Sequence, residues 1–445
     1  MTIWGSTGVA AHWRRRLCPV VAAMLVIAAC SDDSNDATDA ATADTGSVTA
    51  SAPASEEITL KVWDFLDQPD LNEQANDEID PAYATEHPGI TIDRTFVPQE
   101  GYWAKLQAAI AAGDGPDIVT MYPGSAARQY ANGLLPLDDR LTDEQRADLN
   151  FLDQAKTDGV TLALPFTAYA YVMEFNKQLF ADAGLDPETA IGTYDGLLDA
   201  CDAFSAAGVT PIAAGFQDGF YPEWILYVLG SQMFSKADIA AQNNGDVAWT
   251  DSRYTTALEK ILEMKDRNCF SDGYLTRTGE EGFDEFYRGE AAFYFSVGAQ
   301  EDKVDLLGKD AIGYTTPPLL SEGAYTEPMT DSLWGAGYSI TSWSEHPDEA
   351  YEFLSYYVSA PGLNVIGKYT PHQLPSARSA TPQADDPLTM KLIEIAQLPD
   401  NQSIYVGFSS GEIDNFRRFI GEVMEGRLSI PDFQAQLDAE RVAAQ

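Results

Sequence analysis

The alternation of hydrophobic and polar residues predicts three β-strands near the start of the folded chain. They lie at 58–65, 90–97 and 117–122. Two helix-forming stretches separate them, one at 71–86 and one at 104–112, which Gly113 closes. Strand patterns have a period of two residues and helix patterns a period near 3.6, and glycine and proline interrupt both. This succession of strands and helices is typical of an α/β sheet with helices on its faces.

The same succession continues through the second half of the chain. Further strands are predicted at 171–175, 209–214, 291–297 and 333–341. Thr193 is a suitable N-cap and Gly208 a suitable stop for one helix, and 252–267 carries the pattern of another. The last hundred or so residues are mostly helical in pattern. Since no repeat or heptad occurs, we predict two α/β lobes rather than a solenoid.

The N-terminal segment has the pattern of a secretory signal. Three arginines, Arg14 to Arg16, precede an apolar stretch at 17–29 that is too short for a membrane span. The stretch ends Ile27-Ala28-Ala29-Cys30, which resembles a bacterial lipobox. We therefore predict a signal peptide at 1–29 and lipidation of Cys30. The alternative is an ordinary secretory signal in which the cysteine is incidental.

The segment that follows has the composition of a flexible linker. Residues 31–56 include no aromatic residue, lysine or arginine and consist mainly of Ala, Ser, Thr and Asp. Such a composition buries too little apolar surface to order itself. We predict that 30–56 tethers the folded body to the cell membrane, on its extracytoplasmic side.

Charge and the cysteine and histidine content restrict the partners, metals and cofactors that the chain is expected to bind. The chain has 69 acidic and 27 basic residues, a formal charge of −42, which repels phosphate backbones and argues against nucleic-acid binding. Cys201 and Cys269 are left in the folded body, and an exported location permits a disulfide between them. Two buried thiols remain the alternative. The four scattered histidines and the absence of zinc-spaced Cys/His motifs predict no metal site and no cofactor.

Eight phrases, in order along the chain, carry a resemblance to the family 1 extracellular solute-binding proteins of ABC sugar importers. They are ITLKVWDF (58–65), EHPGITID (86–93), AAIAAGDGPDIVTM (108–121), YANGLLPLDD (130–139), LALPFTAYAYVMEFNKQLFADAGLD (162–186), TYDGLLDACDAFSAAGVTPIA (193–213), FYRGEAAFYF (286–295) and HPDEAYEFLSYY (346–357). The resemblance implies an α/β, two-lobed type II periplasmic-binding-protein fold with a hinge between the lobes, near Pro165 to Tyr169. It also implies a monomeric, non-enzymatic lipoprotein that captures a mono- or oligosaccharide and delivers it to the membrane subunits of an ABC importer.

The expected lobes are discontinuous in sequence. Lobe 1 is expected at 57–165 and is rejoined by about 310–342. Lobe 2 is expected at 166–309 and is rejoined by about 343–445. Ligand that contacts both lobes would shift the balance between open and closed forms.

Candidate ligand residues follow from sugar chemistry, because apolar C–H faces need aromatic rings and hydroxyls need polar groups. They are expected at strand ends and in the following loops. In the first lobe the candidates are Trp63, Asp64 and Tyr122. In the second lobe the resemblance places Gln217, Asp218 and Trp224 in the carbohydrate-binding loop. The remaining candidates are Tyr169, Gln300, Trp334 and Gly335. The alternatives are core packing for the rings, and helix caps for Asp64 and the 216–224 loop.

Two motifs resemble parts of other functional sites, a catalytic serine turn and a phosphate-binding loop. Residues 407–411 (GFSSG) match a nucleophile elbow, but that fold needs a histidine downstream, and the last histidine is His372. Residues 362–369 imitate a phosphate loop with Tyr369 in place of the magnesium-binding Ser or Thr. A secreted glycosidase with paired carboxylates stays an open alternative. So does a binding protein for a polyol, glycerol phosphate or another polar solute, although the predicted cleft segments contain no cluster of basic residues.

Overall fold

The structure is a computed structural model that describes residues 57–65, 69–298, 300, 303–370, 374–382 and 385–443. The predicted signal peptide, Cys30 and the linker lie outside the described residues. In chain order the strands are β1 Ile58–Asp64, β2 Ile90–Phe96, β3 Ile118–Met121, β4 Lys156–Thr157, β5 Val160–Thr161, β6 Leu164–Pro165, β7 Thr167–Ala170, β8 Val172–Asn176, β9 Thr210–Ile212, β10 Ala291–Ser296, β11 Ile312–Thr315, β12 Ser332–Trp334, β13 Gly337–Ile340 and β14 Leu374–Pro375.

Helices separate and cover these strands. They are α1 Pro69–Glu86, α2 Gln99–Ala112, α3 Ser125–Tyr130, α4 Asp143–Asp148, α5 Lys177–Ala183, α6 Pro187–Ala190, α7 Tyr194–Ala206, α8 Phe220–Ser231, α9 Ile239–Asn243, α10 Ser252–Asp266, α11 Gly279–Tyr287, α12 Val304–Leu307, α13 Pro347–Tyr357, α14 Ala360–Tyr369, α15 Pro387–Ala396, α16 Ser410–Met424 and α17 Ile430–Ala443. Within the described residues, none of these helices combines the length and apolar character that a membrane span requires.

The first sheet has five strands in the order β2-β1-β3-β13-β6. Strands β1, β2 and β3 run parallel, and β13 runs antiparallel to its neighbours β3 and β6. The alternation in β1 buries Leu60 and Val62 against one face, where side chains of α1, α13 and α14 complete a core. A second core on this sheet is built around Tyr102 and Leu106 of α2.

The second sheet has four strands in the order β11-β8-β10-β9. Every residue of β8 and β10 is buried, including Glu174 and Asn176 of β8, and helices pack against this sheet. Its core is separate from those of the first sheet and draws on α7, α8, α10, α11, α16 and α17. Cys201 of α7 and Cys269 are joined there by a disulfide, with both side chains fully buried.

A small three-stranded sheet, in the order β12-β7-β14, lies where the chain passes between the two larger sheets. Strand β7 connects β6 of the first sheet to β8 of the second. Strand β12 leads back into β13 of the first sheet. The prediction of one strand at 333–341 is therefore wrong, since the segment is two strands in different sheets. Gly335 lies at the break, where an added Cβ atom would be 2.4 Å from Cε2 of Tyr169.

Several predicted elements are confirmed with small shifts of their ends. Helix α7 begins after Thr193, whose hydroxyl accepts a hydrogen bond from the Gly196 amide. Helix α2 ends at Gly113, which has a φ of 63°. It begins at Gln99 rather than 104, so that the helix includes Tyr102 and Trp103. The predicted α/β class is confirmed.

Two segments pack differently from the predicted division into lobes. Strand β11 at 312–315 pairs with β8 and so belongs to the second sheet. Helices α13 and α14, at 347–369, pack on the first sheet, where Phe353, Leu354 and Ile366 are buried. The remaining helices near the C-terminus, α16 and α17, contribute Phe416 and Phe433 to the core of the second sheet.

Candidate ligand-binding site

Aromatic rings gather at the carboxyl ends of β1 and β3, the edge of an α/β sheet where ligands commonly bind. Phe65 follows β1, and its ring centroid lies 4.5 Å from that of Tyr102, 5.5 Å from Trp103 and 5.0 Å from Tyr122. Trp103 stacks on Tyr130 at 5.3 Å, with 8° between the ring planes. Phe65, Tyr102 and Tyr130 are buried, whereas Trp103 and Tyr122 are half-buried. The buried rings thus hold two partly accessible rings in place.

Trp63 and Trp334 belong to the same core as this aromatic cluster. Trp63 is half-buried, and Nζ of the exposed Lys105 lies 3.8 Å from its ring centroid. Trp334 is fully buried, and its Nε1 is a buried donor with no partner among the described residues. Unpaired buried donors are rare, so this N–H is an unusual feature of the core. The predicted cleft segments contain no cluster of basic residues, but α2 places the single ammonium group of Lys105 over Trp63.

Asp64 has no accessible surface and a complete set of partners within the protein. Its Oδ1 accepts from Thr120 at 2.6 Å, and its Oδ2 accepts from Tyr338 at 2.6 Å and Arg94 at 2.9 Å. Asn76 also donates to Oδ2, at 3.3 Å. A ligand would have to displace these bonds to reach the carboxylate. We therefore withdraw Asp64 from the ligand candidates.

Trp224 is a partly accessible ring in the part of the fold built on the second sheet. It is half-buried on α8 and stacks on Phe283 at 5.7 Å with 19° between the planes. Phe220 and Tyr171 meet it edge-on, with centroids 5.3 and 5.7 Å away. The preceding residue, Glu223, is buried and accepts hydrogen bonds from Arg417 and Tyr227. Burial raises the pKa of Glu223, which Arg417 opposes. This pair fixes α8 against α16 and so positions Trp224.

Gln217 and Asp218 are exposed in the turn before α8. The Gln217 amide donates to the Arg277 carbonyl at 2.9 Å, and Asp218 Oδ2 accepts from the Gly279 amide at 3.0 Å. Asp218 therefore holds the start of α11 with one oxygen. Both residues lie just before α8, the helix that carries Trp224.

The other candidates lie at the crossover and beside a buried carboxylate. Tyr169 and Gly335 are brought together by the pairing of β7 with β12. The Gln300 amide donates to the Tyr287 hydroxyl at 2.7 Å, and that hydroxyl donates to Glu174. Glu174 is fully buried, and burial raises its pKa to about 7. Gln300 is thus tied to the second sheet through its backbone.

Sequence reasoning missed Trp103, Tyr130 and Lys105. Trp103 could have been found from the aromatic pair Tyr102-Trp103, which lies between the predicted strand at 90–97 and the predicted helix at 104–112. The prediction began the helix at 104 and so left this pair outside it. Tyr130 was hidden in a short helix without a clear pattern.

The motifs with other chemistry have structural roles. Ser409 caps α16, accepting from the Glu412 amide at 3.3 Å while its own amide donates to the Glu412 carboxylate at 2.8 Å. Residues 362–369 form the body of α14 rather than a loop. Within the described residues, no cluster of three or more His, Cys, Asp or Glu side chains is arranged to hold a metal ion.

A cavity of about 250 Å³ lies between β11 and the start of α15. Its walls include Phe175, Tyr314 and Leu388, and its rim includes Lys309, which pairs with Asp386 at 2.7 Å. None of the predicted ligand residues lines it.

Solved structures share this fold. A cyclic alpha-maltosyl-1,6-maltose binding protein from Arthrobacter globiformis superposes with a TM-score of 0.68 at 23% identity, covering 87% of this chain and 98% of that one. At this identity the likeness concerns the fold.

Sequence relatives match over shorter segments. A binding protein of Brucella abortus strain 2308 is 33% identical over 112 residues, 24% of this chain and 27% of the relative. The sn-glycerol-3-phosphate-binding periplasmic protein of Escherichia coli K12 is 25% identical over 250 residues, 53% of this chain and 55% of the relative. The chain thus spans about half or less of the length of these curated relatives. A family model for bacterial extracellular solute-binding proteins matches residues 68–363, most of the folded body. The chain therefore belongs to the bacterial extracellular solute-binding proteins.

Proposed function

We propose that this protein is the receptor of an ABC importer and binds a mono- or oligosaccharide. The observation that carries the proposal is the pair of half-buried rings, Trp103 and Tyr122, held by buried rings at the carboxyl ends of β1 and β3. Such rings suit the C–H faces of a sugar. The Arthrobacter protein of the same fold is a binding protein for cyclic alpha-maltosyl-1,6-maltose, which supports this ligand class.

We further propose that the two large sheets are the two lobes and that the β12-β7-β14 sheet lies at the hinge. Each large sheet has its own core, and the chain crosses between them before β8 and after β12. In this proposal Trp103 and Tyr122 line one wall of the cleft. The other wall is lined by Trp224, Gln217 and Asp218, and Tyr169 and Gly335 lie near the hinge. Ligand that contacts both walls favours the closed form.

A second candidate ligand is a phosphorylated polyol such as sn-glycerol-3-phosphate. Lys105 is exposed above Trp63, so an ammonium group is available near the aromatic cluster. The Escherichia coli relative binds this compound. A single lysine without an accompanying arginine is a sparse phosphate site, since phosphate recognition favours bidentate guanidinium groups. We therefore place the neutral sugar first.

A binding screen separates these candidates. Thermal shift and calorimetry would be run with maltose, maltotetraose, galactose and sn-glycerol-3-phosphate. A ligand at a hundredfold excess over its Kd should stabilise the folded chain by about 2.7 kcal/mol. Stabilisation by the glycerol phosphate alone, lost in a Lys105→Met variant, would overturn the sugar proposal.

Matched tryptophan variants locate the site. Trp103→Ala and Trp224→Ala should each weaken sugar binding at least tenfold. The control is Trp343→Ala, because Trp343 is also half-buried but bonds to the Pro116 carbonyl, outside the aromatic cluster. Equal loss of binding in all three variants would point to a general loss of folding and contradict this site.

We propose that the protein binds without catalysis. The purified chain should release no chromophore from p-nitrophenyl glycosides under conditions in which it binds the parent sugars. Turnover that follows the protein through purification would support the glycosidase alternative.

We also propose that the protein is a monomer anchored by lipid at Cys30 to the extracytoplasmic side of the membrane, after removal of 1–29. The 30–56 linker would hold the body near the importer's membrane subunits at a high local concentration. In detergent phase partitioning the mature protein should enter the detergent phase, and Cys30→Ala should stay in the aqueous phase. Equal partitioning of both would contradict lipidation.

A further inference from the structure

Arg128 connects two parts of the fold. The first body is the part built on the first sheet, and the second body is the part built on the second sheet. It lies on α3, directly after β3, and its neighbours Ala127 and Tyr130 are buried in the core of the aromatic cluster. Its Nη1 donates to the carbonyls of Asn243 at 3.0 Å and Val406 at 2.7 Å, and its Nη2 donates to the Phe408 carbonyl at 3.4 Å.

The acceptors belong to the body of the second sheet. Phe408 is buried in the core of that sheet, and Asn243 ends α9, which packs against the 405–407 turn. The guanidinium group therefore bridges two cores that share no large sheet. Its planar fork allows one side chain to bond three carbonyls, which an ammonium group on a flexible stem does less well.

Two neighbouring contacts join the same surfaces. Gly124 lies against Val406 so closely that an added Cβ atom would be 2.9 Å from the Val406 carbonyl oxygen. One residue further, Ser125 Oγ lies 3.4 Å from Ser410 Oγ. Arg128 and these contacts define an interlobe seam, made of 124–128 on one side and 406–410 on the other.

The bonds of Arg128 use carbonyl groups rather than a carboxylate. Burial lowers the pKa of Arg128, and the charges of Glu412 and Arg441 act on it with opposite signs. The half-buried guanidinium needs its donors paired, and water pairs them when the seam opens. Hydrogen bonds to a charged donor are stronger than neutral ones, so the bridge favours the arrangement in which the interlobe seam is joined, called the closed arrangement below, without fixing it permanently.

We propose that Arg128 is a positioning residue that latches the two lobes in the closed arrangement and thereby sets the fraction of ligand-free chains that are closed. The proposal rests on the two-lobed binding function proposed above. A latch of this kind raises ligand affinity without contacting the ligand, because apparent affinity scales with the population of the binding-competent state.

The test measures closure directly, without any sugar. In the full chain, a Ser125→Cys/Ser410→Cys variant treated with diamide should form a disulfide across the interlobe seam, identified by peptide mass mapping. Adding Arg128→Ala should slow this cross-link about tenfold or more, as expected for the loss of charge-assisted hydrogen bonds. Arg128→Lys should also slow it, because a lysine keeps the charge but loses the fork.

The matched control is Arg146→Ala in the same double-cysteine background. Arg146 is on α4 and donates to the Asp138 carbonyl within the first body, so its loss should leave the cross-linking rate unchanged. Scattering should give a larger radius of gyration for Arg128→Ala than for the parent. If Arg128→Ala does not fold, Arg128→Lys decides the outcome. An unchanged rate in both arginine variants, or no cross-link in the double-cysteine parent, would overturn the latch. The sugar screen tests the proposed function separately.

Discussion

The Tyr338 hydroxyl donates a 2.6 Å hydrogen bond to Asp64 Oδ2 and so joins two strands that are not neighbours, β13 and β1, across β3. Arg94 from β2 bonds the same oxygen and also pairs with Asp80 of α1. Thr120 of β3 donates to the other oxygen, so one buried carboxylate connects four strands of the first sheet. Asp64 is a structural centre of the first sheet, beside the aromatic cluster rather than part of it.

Asp64→Asn should destabilise the protein by about 3 kcal/mol, because the substitution leaves Arg94 buried with only Asp80 as its ionic partner. Urea unfolding measures this change. Asp93→Asn is the matched control, since Asp93 is exposed on the same strand as Arg94. Lost sugar binding with unchanged stability would instead return Asp64 to the ligand site.

A second prediction concerns pH. Asp331, just before β12, is fully buried and accepts from Ser231 at 2.5 Å, while its Oδ1 has no partner among the described residues. Burial raises its pKa to about 7. In the unfolded chain the pKa is about 3.9, so the folded state holds this proton over a range in which the unfolded state has lost it. Its contribution to stability is therefore complete below about pH 4 and falls as the pH rises to about 7, by on the order of 1.4 kcal/mol per pH unit.

Asp331→Asn should remove this part of the pH dependence and stabilise the protein at pH 8 relative to the parent. Unfolding free energies at pH 5 and pH 8 provide the comparison. The exposed residue Asp305 gives the control variant Asp305→Asn, which should keep the parent's slope. An unaltered slope in Asp331→Asn would show that Asp331 is ionised in the folded protein across this range.

The Cys201–Cys269 disulfide closes a loop with a sequence separation of 68 residues. Loss of the cross-link frees the unfolded chain and should lower the free energy of unfolding by about 4 kcal/mol. A Cys201→Ala/Cys269→Ala variant should show this loss, and reducing agent should not change its stability further. Equal stability of the parent and the variant under oxidising conditions would mean that the bond does not form.

Gly335→Ala tests the packing at the crossover between the sheets, and Gly421→Ala, which should change stability in the opposite direction, serves for comparison. Gly335→Ala should destabilise by about 1–3 kcal/mol, because its Cβ would press on the Tyr169 ring and on Thr167. Gly421→Ala, inside α16 with no atom within 4 Å of the added Cβ, should stabilise by up to about 1 kcal/mol. A Gly335→Ala protein as stable as the parent would show that Tyr169 moves aside at little cost.

Local signals predicted much of the fold. Thr193 and Gly113 mark helix ends through hydrogen bonds and dihedral angles that depend on few neighbours, so the sequence predicted both positions. The break at Gly335 depends on the ring of Tyr169 from a distant strand, which periodicity does not reveal. Strand β11 was assigned to the first lobe because its pairing with β8 is a long-range contact.

The candidate site was predicted less well for the same reason. Trp224 and Tyr122 were identified because rings after strands suggest a ligand surface. Asp64 also lies at the end of a strand and was chosen for that reason. Its partners Thr120 and Tyr338 come from other strands and occupy the carboxylate. Arg128 carried no local signal, since its three carbonyl acceptors are assembled only by the fold.

The position of β13 has a consequence for biosynthesis. This strand, at 337–340, lies between β3 and β6 and pairs with both. A nascent chain therefore cannot complete the first sheet until more than three hundred residues have been synthesised. For a chain proposed to be exported behind a signal peptide, this connectivity means that the first sheet cannot close before most of the chain has left the ribosome.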